Sequence, residues 1–307
     1  MKILLTGRSG QLGWELARAL APLGEIIAFD RAGLDLAVPG QIVSVIRSVR
    51  PDVLVNAAAY TAVDRAESEP DASFAINAAA VAILAEEAKR ARALLIHYST
   101  DYVFDGAKDT PYSEDDRPNP INAYGRSKLA GEQSISSIDG PHLILRTSWV
   151  YSARGKNFLL TIRRLLQKRD ELRVVSDQIG APTSAGALAE ATAELLRRNG
   201  AGALGERSGI YHATARGSTS WHGFAMEIAR LERLGLPTRI VPIASSEYPT
   251  PAQRPKNSRL SNEKLLRSFG IALPKWEACL ETCHASLRAR EGRESDTPNA
   301  NDAREVE

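Results

Sequence analysis

Cysteine is scarce in this sequence, because its 307 residues include only Cys279 and Cys283. Their spacing of four places them on one face of a helix, where two small apolar side chains near a core are commoner than a disulfide or a metal site. Runs of about 18 apolar residues are missing, so no segment is expected to span a bilayer. The first residues reach a glycine too early for a secretory signal. We therefore expect a protein of the reducing cytosol.

An excess of charge of one sign is also missing. Lys and Arg number 39 against 37 Asp and Glu, which leaves a net charge of +2. No basic field favours nucleic acid as a partner, and no charged block favours a membrane surface. The hydrophobic fraction of 43% suffices for a sizeable core, and 307 residues are long for one compact domain. We expect a large domain with a smaller one attached.

The N-terminal region shows the order strand, glycine turn, helix. Residues 2–6 are a short apolar run, Gly7, Gly10 and Gly13 follow, and residues 14–23 have apolar side chains at helical spacing. This order is typical of a dinucleotide-binding loop, in which the pyrophosphate rests on amide donors at the helix N-terminus. The glycine spacing differs from the commonest fingerprint, so a turn without a ligand stays an alternative.

Two charged residues after the second predicted strand bear on the choice of cofactor. Asp30 lies about 20 residues after the loop, where an acid binds the adenine ribose and favours NADH. Arg31 beside it would meet a 2′-phosphate, which favours NADPH. Both are also compatible with ordinary surface charges, so the choice between NADH and NADPH stays open.

Tyr124 and Lys128 are central to the interpretation. Four residues apart, they share one helical face, where the ammonium would stabilise the phenolate and lower the pKa of Tyr124. Such a tyrosine exchanges protons near neutral pH. Thr100 ends a central strand and would bind a carbonyl that Tyr124 protonates, with a helix cap or a buried strand hydroxyl as the alternative. His97, earlier in that strand, is expected to pack within the sheet.

A proline-rich segment, residues 248–260, carries Arg254, Lys256 and Arg259. A stiff loop with guanidinium groups suits a diphosphate, and ordinary surface charges are the alternative.

Strands and helices alternate along most of the chain, which predicts an α/β fold: a Rossmann-type doubly wound parallel sheet with a smaller C-terminal substrate-binding lobe. We expect the dinucleotide-binding domain at residues 1–150, with 168–215 returning to it. Residues 151–167 and 216–290 would form the lobe. Residues 291–307 are polar without periodicity and are expected to be a disordered tail.

Taken together, the motifs resemble the extended short-chain dehydrogenase/reductases, and within that family the nucleotide-sugar 4-ketoreductases. The resemblance runs from residue 4 to about 260. It rests on Gly7/Gly10/Gly13 within Thr-Gly-Arg-Ser-Gly-Gln-Leu-Gly, on Asn56-Ala-Ala-Ala-Tyr-Thr-Ala-Val-Asp, on His97-Tyr-Ser-Thr-Asp-Tyr-Val-Phe-Asp-Gly, on Tyr124-xxx-Lys128, on Arg146-Thr-Ser-Trp-Val-Tyr, on Asp177-Gln-Ile-Gly-Ala-Pro-Thr and on residues 248–260.

The resemblance implies a reaction: NADH or NADPH would reduce the 4-keto group of a dTDP-sugar, converting dTDP-4-dehydro-L-rhamnose to dTDP-L-rhamnose for cell-surface polysaccharide (O-antigen) synthesis. Tyr124 would be the general acid, Lys128 its tuning cation and Thr100 the third catalytic residue. The predicted cofactor contacts include the glycine loop and Arg31. They are Gly7, Gly10, Gln11, Leu12, Gly13, Asp30, Arg31, Leu34, Asp35, Ala59, Tyr60, Thr61, Tyr98, Tyr124 and Lys128. The predicted substrate contacts are Thr100, Asp101 and Trp149, together with Arg254 and Arg259 of residues 248–260.

Members of this family are associated with Mg²⁺ held by acidic side chains. Glu15 and Glu190 are candidates, but Gly186 stands where a further acid is expected, so we assign no metal site. The oligomeric state is not determined by the sequence, and a homodimer stays open.

Two other functions were weighed. A 4,6-dehydratase or 4-epimerase shares the fold, but such a dehydratase is expected to place an acid where Tyr102 stands. A non-catalytic cofactor-binding subunit, such as that of methionine adenosyltransferase, is expected to have lost part of the set Thr100, Tyr124 and Lys128, which this chain keeps whole.

Overall fold

A computed structural model describes residues 1–232 and 238–295 of the chain. Its strands are β1 (Lys2–Thr6), β2 (Glu25–Phe29), β3 (Val53–Asn56), β4 (Leu94–Thr100), β5 (His142–Thr147), β6 (Val150–Tyr151), β7 (Glu171–Val175), β8 (Ile179–Gly180), β9 (Thr183–Ser184), β10 (Gly209–His212), β11 (Thr219–Ser220) and β12 (Arg239–Ile243). Its α-helices are α1 (Gln11–Ala19), α2 (Pro39–Val49), α3 (Val63–Ser68), α4 (Pro70–Phe74), α5 (Ala80–Ala91), α6 (Ala123–Ile138), α7 (Phe158–Leu166), α8 (Ala185–Gly205), α9 (Trp221–Glu232), α10 (Glu263–Phe269) and α11 (Trp276–Ser295).

The main sheet is parallel and doubly wound. In the described part of the chain it has six strands, in the order β10-β5-β4-β3-β1-β2. The chain leaves β1 towards β2 on one side and returns to β3 on the other, so the strand order reverses between β1 and β3. Ligands of such sheets bind beyond the carboxyl ends of the strands at this point. The predicted fold class is confirmed.

Both faces of the main sheet are covered, as a parallel sheet requires. Side chains alternate along the strands: Ile3 and Leu5 pack with α1 and α8 on one face, whereas Leu4, Leu54 and Leu95 pack with α2 and α5 on the other. All seven residues of β4 are buried, including the polar His97, Ser99 and Thr100 in its second half. The sheet is therefore a rigid support for the residues that follow its strands.

The smaller lobe has its own core. β7 pairs with β12 in parallel, and α7, α9 and α11 pack around Leu159, Phe224 and Leu280. Cys279 and Cys283 are buried in this core, both as free thiols. They are packing residues, as their spacing suggested.

Two predicted boundaries differ from the structure. Within 168–215, β10 pairs with β5 of the main sheet and α8 packs against that sheet, but β7 pairs with β12 of the smaller lobe, whose sequence follows much later in the chain. The predicted tail at 291–307 begins too early, since α11 continues to Ser295. Residues 296–307 lie outside the described residues. Across 1–232 and 238–295, no helix combines the length and the apolar character needed to cross a membrane.

Candidate active site

A cavity of about 750 Å³ lies at the carboxyl edge of the main sheet, at the point where the strand order reverses. Its lining comes from the segments after β1, β2, β3 and β4, from α6, and from the smaller lobe. Most predicted site residues meet there: Gly7, Gly10, Gln11, Leu12, Asp30, Arg31, Leu34, Asp35, Ala59, Tyr60, Thr61, Tyr98, Thr100, Asp101, Tyr124, Lys128 and Trp149.

The glycine turn after β1 forms a cradle that only small residues permit. Gly7 has φ +75°, and a Cβ there would lie 2.8 Å from the Ala58 nitrogen. A Cβ on Gly13 would lie 2.0 Å from the Gly7 carbonyl oxygen, so Gly13 lies beneath the turn and packs α1 against it instead of lining the cavity. α1 begins at Gln11 without a side-chain cap and without an acid in its first turn. Its exposed amide donors and dipole fit the pyrophosphate of a dinucleotide.

The turn after β2 presents the two charged residues predicted to select the cofactor. Asp30 Oδ1 accepts hydrogen bonds from the amides of Ala32 (3.1 Å) and Gly33 (3.2 Å), which holds the turn. Arg31 is largely exposed, and its Nε lies 3.5 Å from Asp35 Oδ2. The Arg31 guanidinium is thus held only weakly at the rim of the cavity.

The start of α6 is fixed by two hydrogen bonds and one close backbone approach, which place Tyr124 against the end of β4. Asn122 Oδ1 accepts from the Gly125 amide (2.7 Å), and Glu67 Oε1 accepts from the Ala123 amide (2.7 Å). A Cβ on Gly125 would lie 2.1 Å from the Tyr102 carbonyl oxygen, so the helix approaches the segment after β4 more closely than any other residue allows. N-capping of this kind stabilises the helix and fixes its direction.

Thr100 is the immediate partner of Tyr124. The Thr100 hydroxyl lies close enough to the Tyr124 phenol to lower the pKa of Tyr124. Thr100 donates to Asp101 Oδ1 (3.1 Å), and the Tyr102 amide donates to Thr100 Oγ1 (3.2 Å). The ring of Tyr102 stands edge-on to that of Tyr124, with centroids 5.7 Å apart. The Tyr124 side chain is therefore held by a hydroxyl at its tip and an aromatic ring at its side.

Burial raises the pKa of Tyr124 well above its ordinary value, the hydrogen bond from Thr100 lowers it in part, and Asp101 raises it. The prediction that Lys128 lowers this pKa is wrong for the protein by itself. The ammonium group is bound elsewhere, and burial dominates because a phenolate loses its hydration. Tyr124 is consequently a protonated donor throughout the neutral pH range.

Lys128 is buried under the end of β4. Its Nζ donates to the Tyr98 carbonyl oxygen (2.7 Å) and lies 3.1 Å from His97 Nε2. Burial lowers the pKa of Lys128 to about 8, against the opposing effect of Glu132. This lysine therefore changes charge close to the pH at which most enzymes work.

Asp101 is a buried carboxyl group in direct contact with Thr100. Burial raises the pKa of Asp101 to about 6, although hydrogen bonds from Ser258 and Thr100 oppose the shift. Near pH 6 the group changes between a proton donor and an acceptor, so the hydroxyl of Thr100 has a partner whose charge depends on pH.

Three predicted residues lie outside the cavity lining. Besides Gly13, Arg254 binds Asp64 through its Nη2 (2.8 Å to Oδ2), so it links residues 248–260 to α3 beside the cavity. Arg259 binds Asn257 Oδ1 (2.8 Å) and the Asp109 carbonyl and lines a second cavity. The arginines anchor their loop because acceptors within the protein lie within reach of both guanidinium groups.

Sequence reasoning missed Trp221, Lys156 and Ser9, all of which line the cavity. Trp221 begins α9 in the smaller lobe and stacks on Trp149. No pattern in the sequence relates these two tryptophans, since their contact depends on how the lobe meets the sheet. Ser9 stands between two of the predicted glycines and was the one missed residue with a local signal.

The proposed Mg²⁺ ligands do not form a metal site. Glu190 lies close enough to Glu15 to raise the pKa of Glu15, although burial is the larger cause. Glu15 Oε2 accepts from Arg18 Nη1 (3.1 Å), and a Cβ on Gly186 would lie 3.9 Å from that oxygen. No three His, Cys, Asp or Glu side chains of residues 1–232 and 238–295 form a metal-binding group.

Comparison with known proteins gives consistent matches over almost the whole chain. The family model described as RmlD substrate binding domain matches residues 1–289. A dTDP-4-dehydrorhamnose reductase from Burkholderia thailandensis is 50% identical over 298 residues, covering 94% of this chain and 99% of the relative. The enzyme of the same name from Escherichia coli K12 is 46% identical over 90% of this chain and 95% of its own length. A crystal structure of the Bacillus anthracis dTDP-4-dehydrorhamnose reductase in complex with NADP superposes with a TM-score of 0.86 at 36% identity, covering 93% of this chain and 99% of that chain.

Proposed function

The chain belongs to the RmlD substrate binding domain family, and on this basis we propose that it reduces dTDP-4-dehydro-L-rhamnose to dTDP-L-rhamnose with NADPH or NADH. The product would serve the synthesis of cell-surface polysaccharide. One observation carries the proposal: Thr100 and Tyr124 line the same cavity as Gly7 and Gly10 of the glycine cradle.

The cofactor, when bound, supplies the hydride that is added to C4 of the sugar. The chain has to bind it, orient it and provide a proton. Amides at the start of α1 and the turn at Gly7 and Gly10 fit its pyrophosphate, and Arg31 and Asp30 lie at the rim where the adenosine ribose would be held. Lys128 lines the same cavity and is the proposed contact to the nicotinamide ribose.

Tyr124 is the proposed general acid. Its raised pKa keeps the proton on the phenol until negative charge develops on the C4 oxygen, when transfer becomes favourable. Thr100 orients the phenol and, together with it, offers hydroxyl donors to that oxygen. Donors fixed in a buried site stabilise the developing charge without reorganisation, which is the protein's main contribution to the rate.

The proposed substrate contacts are Thr100, Asp101 and Trp149, which line the cavity, with Trp221 added from the structure. Arg254 and Arg259 are proposed as anchors of residues 248–260 and not as direct contacts. Two further expectations belong to the proposal. The two free buried cysteines favour a cytosolic location, and the homodimer is to be tested by light scattering.

The test is a direct assay. Purified protein is mixed with dTDP-4-dehydro-L-rhamnose and NADPH, then with NADH, and the loss of reduced-nicotinamide absorbance is followed. We expect oxidation that depends on the sugar nucleotide, with dTDP-L-rhamnose identified by NMR. If neither cofactor is oxidised, the reductase proposal is wrong. In a parallel assay with a dTDP-hexose that keeps its 6-hydroxyl, loss of water without net cofactor turnover would instead favour the dehydratase.

A further inference from the structure

A row of buried polar side chains crosses three strands beneath the cavity. Thr6 of β1, Asn56 of β3 and His97 of β4 stand opposite one another in the parallel register, each less than 3% exposed. The row ends at Lys128 on α6. Buried polar groups within a sheet core are costly unless every donor and acceptor is paired, so their pairing can be worked out group by group.

The orientation of the Asn56 amide follows from its neighbours. The Thr6 hydroxyl lies 2.6 Å from Asn56 Oδ1, a distance typical of O–H···O bonds and short for N–H···O. The backbone N–H of Ala58 also points at Oδ1, at 3.3 Å. The same N–H also points at Thr6 Oγ1, at 3.4 Å, so the short contact with the Thr6 hydroxyl is the observation that turns the oxygen of Asn56 towards Thr6 and Ala58. The Asn56 NH₂ group therefore faces His97 Nδ1, at 2.9 Å.

This orientation determines the tautomer of His97. Nδ1 accepts from Asn56, so its lone pair is used and the ring proton of the neutral imidazole is on Nε2. Burial holds the pKa of His97 well below its ordinary value, so the ring is neutral. The Nε2–H then points at Lys128 Nζ, 3.1 Å away. A hydrogen bond there requires a lone pair on Nζ, which the amine has and the ammonium lacks.

We infer that His97 is a positioning residue of this site: held by Asn56 and Thr6, it keeps Lys128 Nζ at the Tyr98 carbonyl and favours the uncharged amine. The inference rests on the proposed function only for its consequence in turnover. By lowering the pKa of Lys128, His97 limits the share of this side chain that is in the ammonium form, the form in which it can act as the tuning cation of Tyr124.

The other charged groups around Lys128 do not replace His97 in this role. Glu132, one turn later on α6, favours the ammonium but is itself paired with Arg146 of β5 (2.6 Å). Asp101 lies beside Thr100 and Tyr124. Three further helices, α3, α4 and α5, pack against α6. Glu67 of α3 binds the Ala123 amide, and Asp71 of α4 is exposed. On α5, Glu87 binds Arg47 and Lys89 binds the Ile138 carbonyl.

The first measurement is made on the wild-type protein, and a variant is used only to assign the signal. Nitrogen-15 shifts of the histidine rings distinguish a protonated from an unprotonated ring nitrogen, and His97 is assigned by the signal lost in His97→Gln. We expect the proton on Nε2 at neutral pH. A proton on Nδ1 would overturn the inference.

The second measurement is the titration of Lys128 itself, followed by the carbon-13 shift of its Cε and assigned by the signal lost in Lys128→Met. His97→Asn keeps a polar atom facing Asn56 but loses the one facing Lys128, whereas His97→Gln places an amide near the position of Nε2. In wild type we expect a midpoint near pH 8. In His97→Asn the midpoint of the Lys128 titration should rise by about half to one pH unit, which is roughly a three- to tenfold change in the acid constant. In His97→Gln the midpoint should stay near the wild-type value.

Unchanged midpoints in His97→Asn, or equal shifts in both variants, would contradict the inference, provided that circular dichroism shows both are folded. These readouts are independent of turnover, so an inactive wild type would disprove the proposed function without touching them. Where turnover is measured, the fall of kcat/KM at high pH should move upward in His97→Asn by the same amount as the Lys128 midpoint.

Discussion

Trp149 and Trp221 lie face to face, with ring centroids 3.5 Å apart and planes inclined by 7°. Trp149 has φ +48°, an unusual conformation for a bulky side chain that is retained only where the surroundings impose it. Gly180 leaves the space for its ring, since a Cβ there would lie 2.5 Å from the indole. Trp221 Nε1 donates to Gln178 Oε1 (3.2 Å). The smaller lobe thus uses a stacked pair to build one wall of the cavity.

Trp221→Ala should raise KM for the sugar nucleotide by about five- to tenfold, because a stacked aromatic pair is worth about 1 kcal/mol and its loss frees Trp149 from its strained position. The KM for the nicotinamide cofactor should not change, since the glycine cradle lies on the main sheet. Steady-state kinetics with each substrate varied in turn gives both values. Trp221→Phe keeps a stacking ring and should lose less. Equal effects of the two variants would contradict a role for stacking.

Tyr124→Phe removes one hydroxyl and should lower kcat by about 10²- to 10⁴-fold, the usual contribution of a positioned general acid. Cofactor affinity, measured by calorimetry, should stay close to wild type because the ring is retained. Tyr211→Phe is the matched control: its hydroxyl donates to the Arg207 carbonyl (2.8 Å) away from the cavity. Turnover by Tyr124→Phe at the rate of the control would show that another group supplies the proton.

Arg31→Ala should lower kcat/KM for NADPH by about 10-fold or more and leave that for NADH nearly unchanged, since a charge-assisted hydrogen bond to a 2′-phosphate is worth about 1.5–3 kcal/mol. The ratio of the two cofactors is the measurement. Arg197→Ala, an exposed arginine paired with Glu194 on α8, serves as the control. A parallel loss with both cofactors would mean that Arg31 acts on the fold of the turn instead.

Asp101→Asn should change how stability depends on pH. The folded protein holds a proton on Asp101 up to about pH 6, whereas the ordinary pKa is 3.8. Between these values the unfolded chain binds fewer protons, so Asp101 makes stability fall as pH rises through this interval, by at most about 3 kcal/mol. Urea unfolding gives the free energy of unfolding of both proteins at pH 4 and at pH 7. The value for the variant minus the value for wild type should therefore be larger at pH 7 than at pH 4. A constant difference between the two proteins would contradict the raised pKa.

Glu132→Ala should lower the free energy of unfolding by about 3–5 kcal/mol, because it leaves the guanidinium of Arg146 buried without its partner. In this pair Arg146 Nη2 lies 2.6 Å from Glu132 Oε2, and both side chains are 2% exposed. The comparison is Glu171→Ala, whose partner Arg239 is largely exposed and whose loss should cost less than about 1 kcal/mol. Denaturant titration at neutral pH measures both. Similar losses would mean that the burial of the Arg146 pair contributes little.

The sequence by itself determined the sheet, the glycine cradle and the meeting of Thr100, Tyr124 and Lys128. These features depend on local signals: apolar strands, glycines at a turn, and residues at strand ends or on one helical turn. Parallel strands carry such residues to a common edge, so their proximity follows once the fold class is known.

Only the tertiary structure decided the charge states and partners of these residues. Burial raises the pKa of Tyr124, and Lys128 contacts Tyr98 and His97 instead of lowering that pKa. Arg254 forms a salt bridge with Asp64, and Trp221 stacks on Trp149. In each pair the two residues are at least 70 positions apart in the chain. Desolvation and long-range contacts of this kind depend on how whole elements pack together, which no local pattern of residues encodes.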